Sequence, residues 1–166
     1  MAQAMLDDRT LQFGNEREQF LYRVAAVIVQ DGRVLAQRIG DHRFLCLPGG
    51  RVELGESADV AFDREMEEEI GVPVRRERLL WVIENFFTHE AIAYHELGLY
   101  FLASLPDGCN QATGDPWTGA EVDGTPLHFQ WLPFSQTRAA NLNPSFLCDA
   151  LPSLPDQPQY VIHRDA

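Results

Sequence analysis

The chain has 166 residues, 45% hydrophobic and 23% charged, an ordinary globular mix long enough for one domain with its own core. The net charge is −12, and all thirteen basic residues are scattered arginines, which argues against a nucleic-acid polymer partner and excludes lysine Schiff-base chemistry and a Walker-type phosphate loop. Three widely separated cysteines give no disulfide framework or zinc spacing, and the start, MAQAMLDDRTLQF, has neither a basic leader nor a membrane-length apolar run, so a soluble, cytoplasmic protein without a membrane partner is expected.

Residues 1–20 are peripheral in this reading. From 20 to 38 the chain reads as a hairpin: 24–29 is β-prone, Asp31-Gly32 is a turn pair, and 34–38 is the returning strand. RFLCLPGG, 43–50, reads as a short strand ending in Pro48-Gly49-Gly50, with Cys46 as a small core residue. From Ser57 to Ile70 the pattern turns helical. Phe62, Met66 and Ile70 recur every four residues, Ala58 and Ala61 lie beside them, Ser57 is the N-cap and Gly71 the stop. Residues 75–87 and 93–104 read as two strands joined by THEAI. The stretch 105–127 reads as one long loop, the kind that is usually functional or mobile beyond roughly 12–15 residues. A strand at 128–134, a short helix at 143–154 and a last strand at 159–163 complete a single mixed α+β domain spanning 1–166.

The helix raises a question. Glu65, Glu68 and Glu69 share one side of it, and like charges at that spacing destabilise a helix by about 0.2–0.5 kcal/mol per pair. Arg64, four residues before Glu68, can hold its carboxylate, and Glu53 and Glu56 stand just upstream. A bare glutamate run is most often a solvated face. Clustered hard oxygens with a cation among them suit Mg2+ or Mn2+, whose remaining ligands are water and substrate phosphates.

The spacing sets this run apart. GRVELGESADVAFDREMEEEIGV, residues 50–72, resembles the Nudix hydrolase signature Gly-x5-Glu-x7-Arg-Glu-U-x-Glu-Glu-x-Gly-U, where U is a bulky aliphatic residue. Gly50, Glu56, Arg64, Glu65, Glu68, Glu69 and Gly71 fill the fixed positions, with Met66 and Val72 at U. The resemblance covers about 22–162 and implies an α/β/α sandwich with a mixed central sheet. It also implies a Mg2+- or Mn2+-dependent pyrophosphohydrolase acting on a nucleoside diphosphate linked to another group, with a homodimer as one assembly. By position, Glu65, Glu68, Glu69 and the Gly50 carbonyl become metal ligands. Arg64 orients the carboxylates, and Glu56 and, outside the signature, Glu53 support the loop. The general base is open among the box glutamates, Glu121, Asp123, Glu96 and Glu84.

Substrate tags thin out downstream. The proline of many ADP-ribose hydrolases, the tyrosine of dinucleoside-polyphosphate hydrolases, and the NADH and coenzyme A motifs are unmatched. A nucleoside triphosphate or damaged nucleotide is the leading substrate. An ADP-ribose or sugar nucleotide is the alternative, and a non-catalytic nucleotide-binding module is the reading from another class. Arg23 and Arg38 on the first hairpin are candidate phosphate contacts. Phe44, Phe86, Phe87 and Trp81 are candidate stacking surfaces, and Glu84 and Glu96 are candidate pocket acids.

Overall fold

The computed structural model describes residues 9–165. The chain runs β1 (Gln12–Gly14), β2 (Glu18–Gln30), β3 (Arg33–Ile39), β4 (Gly49–Arg51), α1 (Ala58–Glu69), β5 (Arg75–His89), β6 (Ile92–Ser104), β7 (Trp117–Ala120), β8 (Pro126–Pro133), α2 (Leu147–Ala150) and β9 (Gln159–Arg164). One mixed sheet runs β7-β8-β3-β2-β6-β5-β9, and β1 and β4 also pair with β2. The β2–β6 and β5–β9 pairs are parallel, and the other pairings antiparallel. This is the expected α+β architecture with a mixed sheet, with few helices.

Alternation along β2 explains the two cores. Val24, Ala26 and Ile28 face α1 and pack with Phe62, Met66 and Ile70. Ala25 and Val27 face the other way, toward Leu80, Ile83, Leu147 and Leu151. The apolar stripe of the helix is therefore the predicted one. Ser57 occupies the N-cap position, yet its side chain makes no capping bond and turns to Asp59 instead.

The first hairpin turns at Asp31 and Gly32, both at positive φ (51° and 71°), as a two-residue turn requires. The second departs from expectation. β5 and β6 run on to His89 and Ile92, so THEAI shrinks to Glu90 and Ala91, at φ 49° and 65°. Two non-glycine residues hold a left-handed turn there because thirteen register pairs flank it.

Three expectations are corrected. The strand placed at 43–50 is broken: Leu45 and Cys46 make only isolated bridges, and β4 lies at Gly49–Arg51 because Gly49 and Gly50 lie against Ala25 and Val24 of β2. The loop placed at 105–127 contains a 3-10 turn at Asn110–Ala112 and all of β7. Trp131 Nε1 donates to the Gln111 carbonyl at 2.9 Å, tying that turn to β8. The helix placed at 143–154 contracts to one turn between Pro144 and Pro152. Nor are residues 9–20 all peripheral, since Leu11 packs on the core and β1 pairs with β2; residues 1–8 lie outside the described residues.

Candidate active site

The site begins where β4 meets α1. Gly50 sits so close to the helix that a Cβ there would lie 2.2 Å from the Glu65 carboxyl carbon. One turn on, Glu69 is buried, and its Oε2 accepts a 3.1 Å hydrogen bond from the Gly49 amide. Burial, then the neighbouring Glu65 charge, pushes the Glu69 carboxyl up to about 8. Burial also raises Glu65, against the pull of Arg64.

Arg64 organises the outer edge. Its Nε and Nη2 donate to the two Glu56 oxygens at 2.7 and 2.9 Å, a bidentate fork. Its Nη1 donates to Glu65 at 2.8 Å and more distantly to Glu68 at 3.4 Å, and Nη2 also reaches the Arg51 carbonyl. Hydrogen bonds from Arg64 hold Glu56 below the ordinary carboxylate range. Glu56 Oε2 also accepts the Glu53 amide, so the Glu53 backbone supports the loop while its side chain stays off the cavity.

A cavity of about 610 Å3 opens over this junction. It collects Arg23, Gly50, Glu65, Glu68, Glu69, Phe44, Phe87, Glu96, Glu121 and Asp123 from the sequence-derived candidates. Arg38 is exposed on β3 and lies off the cavity lining. Glu84 is also off it, bonded instead to His95 at 3.1 Å and to Tyr160. Strand alternation is the reason: Trp81, Ile83 and Asn85 share one face of β5, and Glu84 and Phe86 take the other. Of the stacking candidates, Trp81 is core, edge-on to Phe146, and Phe86 stacks on His95 beneath Arg164.

Arg23 is not a surface cation. Its Nη2 donates to the Leu47 carbonyl at 2.8 Å, its Nε is sealed, and its charge acts on Glu96, Glu69 and Cys46. Sequence reasoning missed Gly49, His42, His89 and Tyr94 as cavity residues. Counting alternate residues from Trp81 puts Asn85 on the inner face as well.

The donor set fits a hard divalent cation. A buried carboxylate, Glu69, and a half-buried one, Glu65, press on each other, each with one oxygen bound to a protein donor and one remaining, and the Gly49-Gly50 backbone lies against them. Among the described residues no three acidic, histidine or cysteine side chains already converge as around a bound ion; Glu68 lines the exposed side of the cavity and is held by Arg64 at 3.4 Å.

Comparison with known proteins agrees with this geometry. The NUDIX domain family model matches residues 20–149. A MutT-like protein of Streptomyces ambofaciens is 43% identical over 63 residues, covering 37% of this chain. The chain spans only 41% of that relative's length. A UDP-X diphosphatase structure has TM-score 0.57 and 24% identity, over 85% of this chain and 66% of its own. A MutT NUDIX hydrolase of Burkholderia pseudomallei has TM-score 0.51 and 26% identity, over 74% and 95%.

Proposed function

This chain belongs to the Nudix family, and from that premise we propose that it is a metal-dependent pyrophosphohydrolase. Its substrate is a nucleoside diphosphate linked to another group, with a nucleoside triphosphate or a damaged nucleotide first. The observation that carries this reading is the seating of Glu65 and Glu69 against the Gly49-Gly50 backbone, braced by Arg64.

Glu65, Glu68, Glu69 and the Gly50 carbonyl would hold Mg2+ or Mn2+, which when bound would supply water activation and charge neutralisation on the diphosphate. Arg64 fixes the rotamer of Glu65, so that its free oxygen faces the cavity. Glu121, across the cavity from α1, accepts the proton of the attacking water. It lines the same cavity as Glu69, and its charge acts on Glu69. Glu84 has its oxygens engaged on the opposite face and is set aside for this role. The similar proteins carry names of more than one kind, MutT-like and UDP-X diphosphatase, so the substrate panel spans triphosphates, ADP-ribose and sugar nucleotides. The complete carboxylate set favours turnover over a binding module.

The test is nucleoside monophosphate release from dNTPs, oxidised dNTPs, ADP-ribose and UDP-sugars, with and without Mg2+ or Mn2+. Metal-dependent release that disappears in Glu68→Gln and Glu69→Gln supports the reading. Full turnover in both variants removes the box as the reacting centre.

A further inference from the structure

The sheet ends in an open edge. β9 pairs with β5 on one side, and among the described residues no strand pairs with its other side. It lies beyond residue 149, where the match to the family model stops, so the edge belongs to this chain and not to the shared domain.

The free backbone groups of that edge can be named. The Asp165 amide donates to the Phe86 carbonyl at 3.0 Å, so Asp165 turns its backbone toward β5. Backbone direction alternates along a strand. Val161 and His163 therefore also face β5, while Tyr160, Ile162 and Arg164 turn their N–H and C=O groups outward. Edge strands are usually blunted by lysine, proline or a bulge. β9 reads QYVIHR and keeps an unbroken register with β5, so it carries none of the three.

The side chains on the edge suit a partner. Tyr160 and Ile162 are 62% and 58% exposed, among the most exposed large hydrophobic residues described. The Tyr160 hydroxyl donates to Glu84, and the Arg164 guanidinium lies over the Phe86 ring at 4.0 Å. Both side chains are thus held in place before any partner arrives, which lowers the ordering cost of association. The chain carries a net charge of −12, yet β9 itself contains no carboxylate, so two copies can approach along it.

We propose that β9 is a homodimer edge, pairing antiparallel with β9 of a second copy about a two-fold axis at Ile162. The register follows from the backbone. An axis at Ile162 sets Ile162 opposite the partner's Ile162, and Tyr160 opposite the partner's Arg164 twice over. All three facing pairs are outward-turned residues, and each pair exchanges two hydrogen bonds. An axis at Val161 sets Arg164 against the partner's Pro158, which has no N–H to give. An axis at His163 leaves Tyr160 past the end of the partner strand. Opposed residues share a face, so the Tyr160 ring meets the partner's Arg164 guanidinium in a cation–π contact. The inference is independent of the hydrolase reading, since Tyr160, Ile162 and Arg164 lie off the cavity lining.

The test is sedimentation equilibrium of the full chain. Pairing along one short strand is a small interface, so the mass is expected to climb from one chain to two between about 1 and 300 µM. Ile162→Lys sets like charges opposite each other at the axis and is expected to weaken dimerisation at least about tenfold. It also reduces the net negative charge, so general repulsion cannot account for the loss. Phe13→Ser is the control: Phe13 is 65% exposed on the same face, four strands away on β1, and its loss leaves the equilibrium unchanged. Amide hydrogen exchange reads the register. Tyr160, Ile162 and Arg164 are expected to slow as concentration rises, while Val161 and His163 are protected throughout. A monomer at every concentration overturns the proposal. So does a dimer that Ile162→Lys leaves intact, one that Phe13→Ser weakens equally, or one that forms without slowing those three amides.

Discussion

The Gly49 amide donates to the Glu69 carboxylate across 3.1 Å, joining β4 to the last turn of α1. The next residue, Gly50, lies against Glu65. Two adjacent glycines thus serve two carboxylates one helical turn apart, by different means.

The two glycines fail differently on substitution. At Gly50 a new Cβ has as its nearest neighbours the three Glu65 carboxylate atoms, at 2.2–2.4 Å, the far end of a flexible side chain. Gly50→Ala is expected to fold, with a thermal midpoint within about 5 °C of wild type, while metal-dependent turnover falls about a hundredfold or more. At Gly49 the Cβ would lie 2.1 Å from the Val24 carbonyl oxygen, with φ at 155°. Gly49→Ala is expected to lose more than about 3 kcal/mol, read by urea denaturation.

Arg64→Lys keeps the charge and loses the fork. A lysine cannot hold both Glu56 oxygens and Glu65 at once. Apparent Mg2+ affinity is expected to weaken on the order of tenfold to a hundredfold, as when a group orienting a metal ligand is removed. A metal titration of activity measures it.

The buried carboxyls make metal-free stability depend on pH. Glu69 is raised to about 8, and Glu96 is raised by burial. In the folded chain each keeps a proton that the unfolded chain releases near the ordinary glutamate range. That contribution is complete below about pH 4.5 and is lost as pH rises through the folded values. In EDTA the midpoint should fall between about pH 5 and 9, and Glu69→Gln should flatten the slope. Mg2+ should raise the midpoint of wild type at pH 8.5 and leave Glu69→Gln unmoved, since only a ligand of the folded state stabilises it.

Phe62 is fully buried between α1 and the sheet, edge-on to Phe101 at 5.5 Å. Phe62→Ala is expected to cost about 3–5 kcal/mol. Equilibrium denaturation checks this, with a retained m-value indicating an intact fold.

The helix and the first hairpin were legible because their signals are local. Phe62, Met66 and Ile70 repeat at the helical period, and Asp31-Gly32 is a standard turn pair. The box residues were legible from spacing alone. β7 was not, because Trp117–Ala120 is four residues long and is held on one side by β8. The buried Asn85–Glu96 pair was least legible. The two residues meet only through the antiparallel register of β6 with β5, and that register is not encoded near either of them. Glu84 was misassigned to the pocket for the same reason: one step along a strand changes the face.

The central placement of β2 also bears on how the chain is made. Its apolar run pairs in parallel with β6, Glu18 opposite Ala93, so the partner is translated seventy-five residues later. At about 5–20 residues per second that interval is roughly 4–15 s. Throughout it, one edge of a strongly β-forming segment stands open on the ribosome. A nascent chain of this topology depends on chaperone cover or fast elongation for its yield.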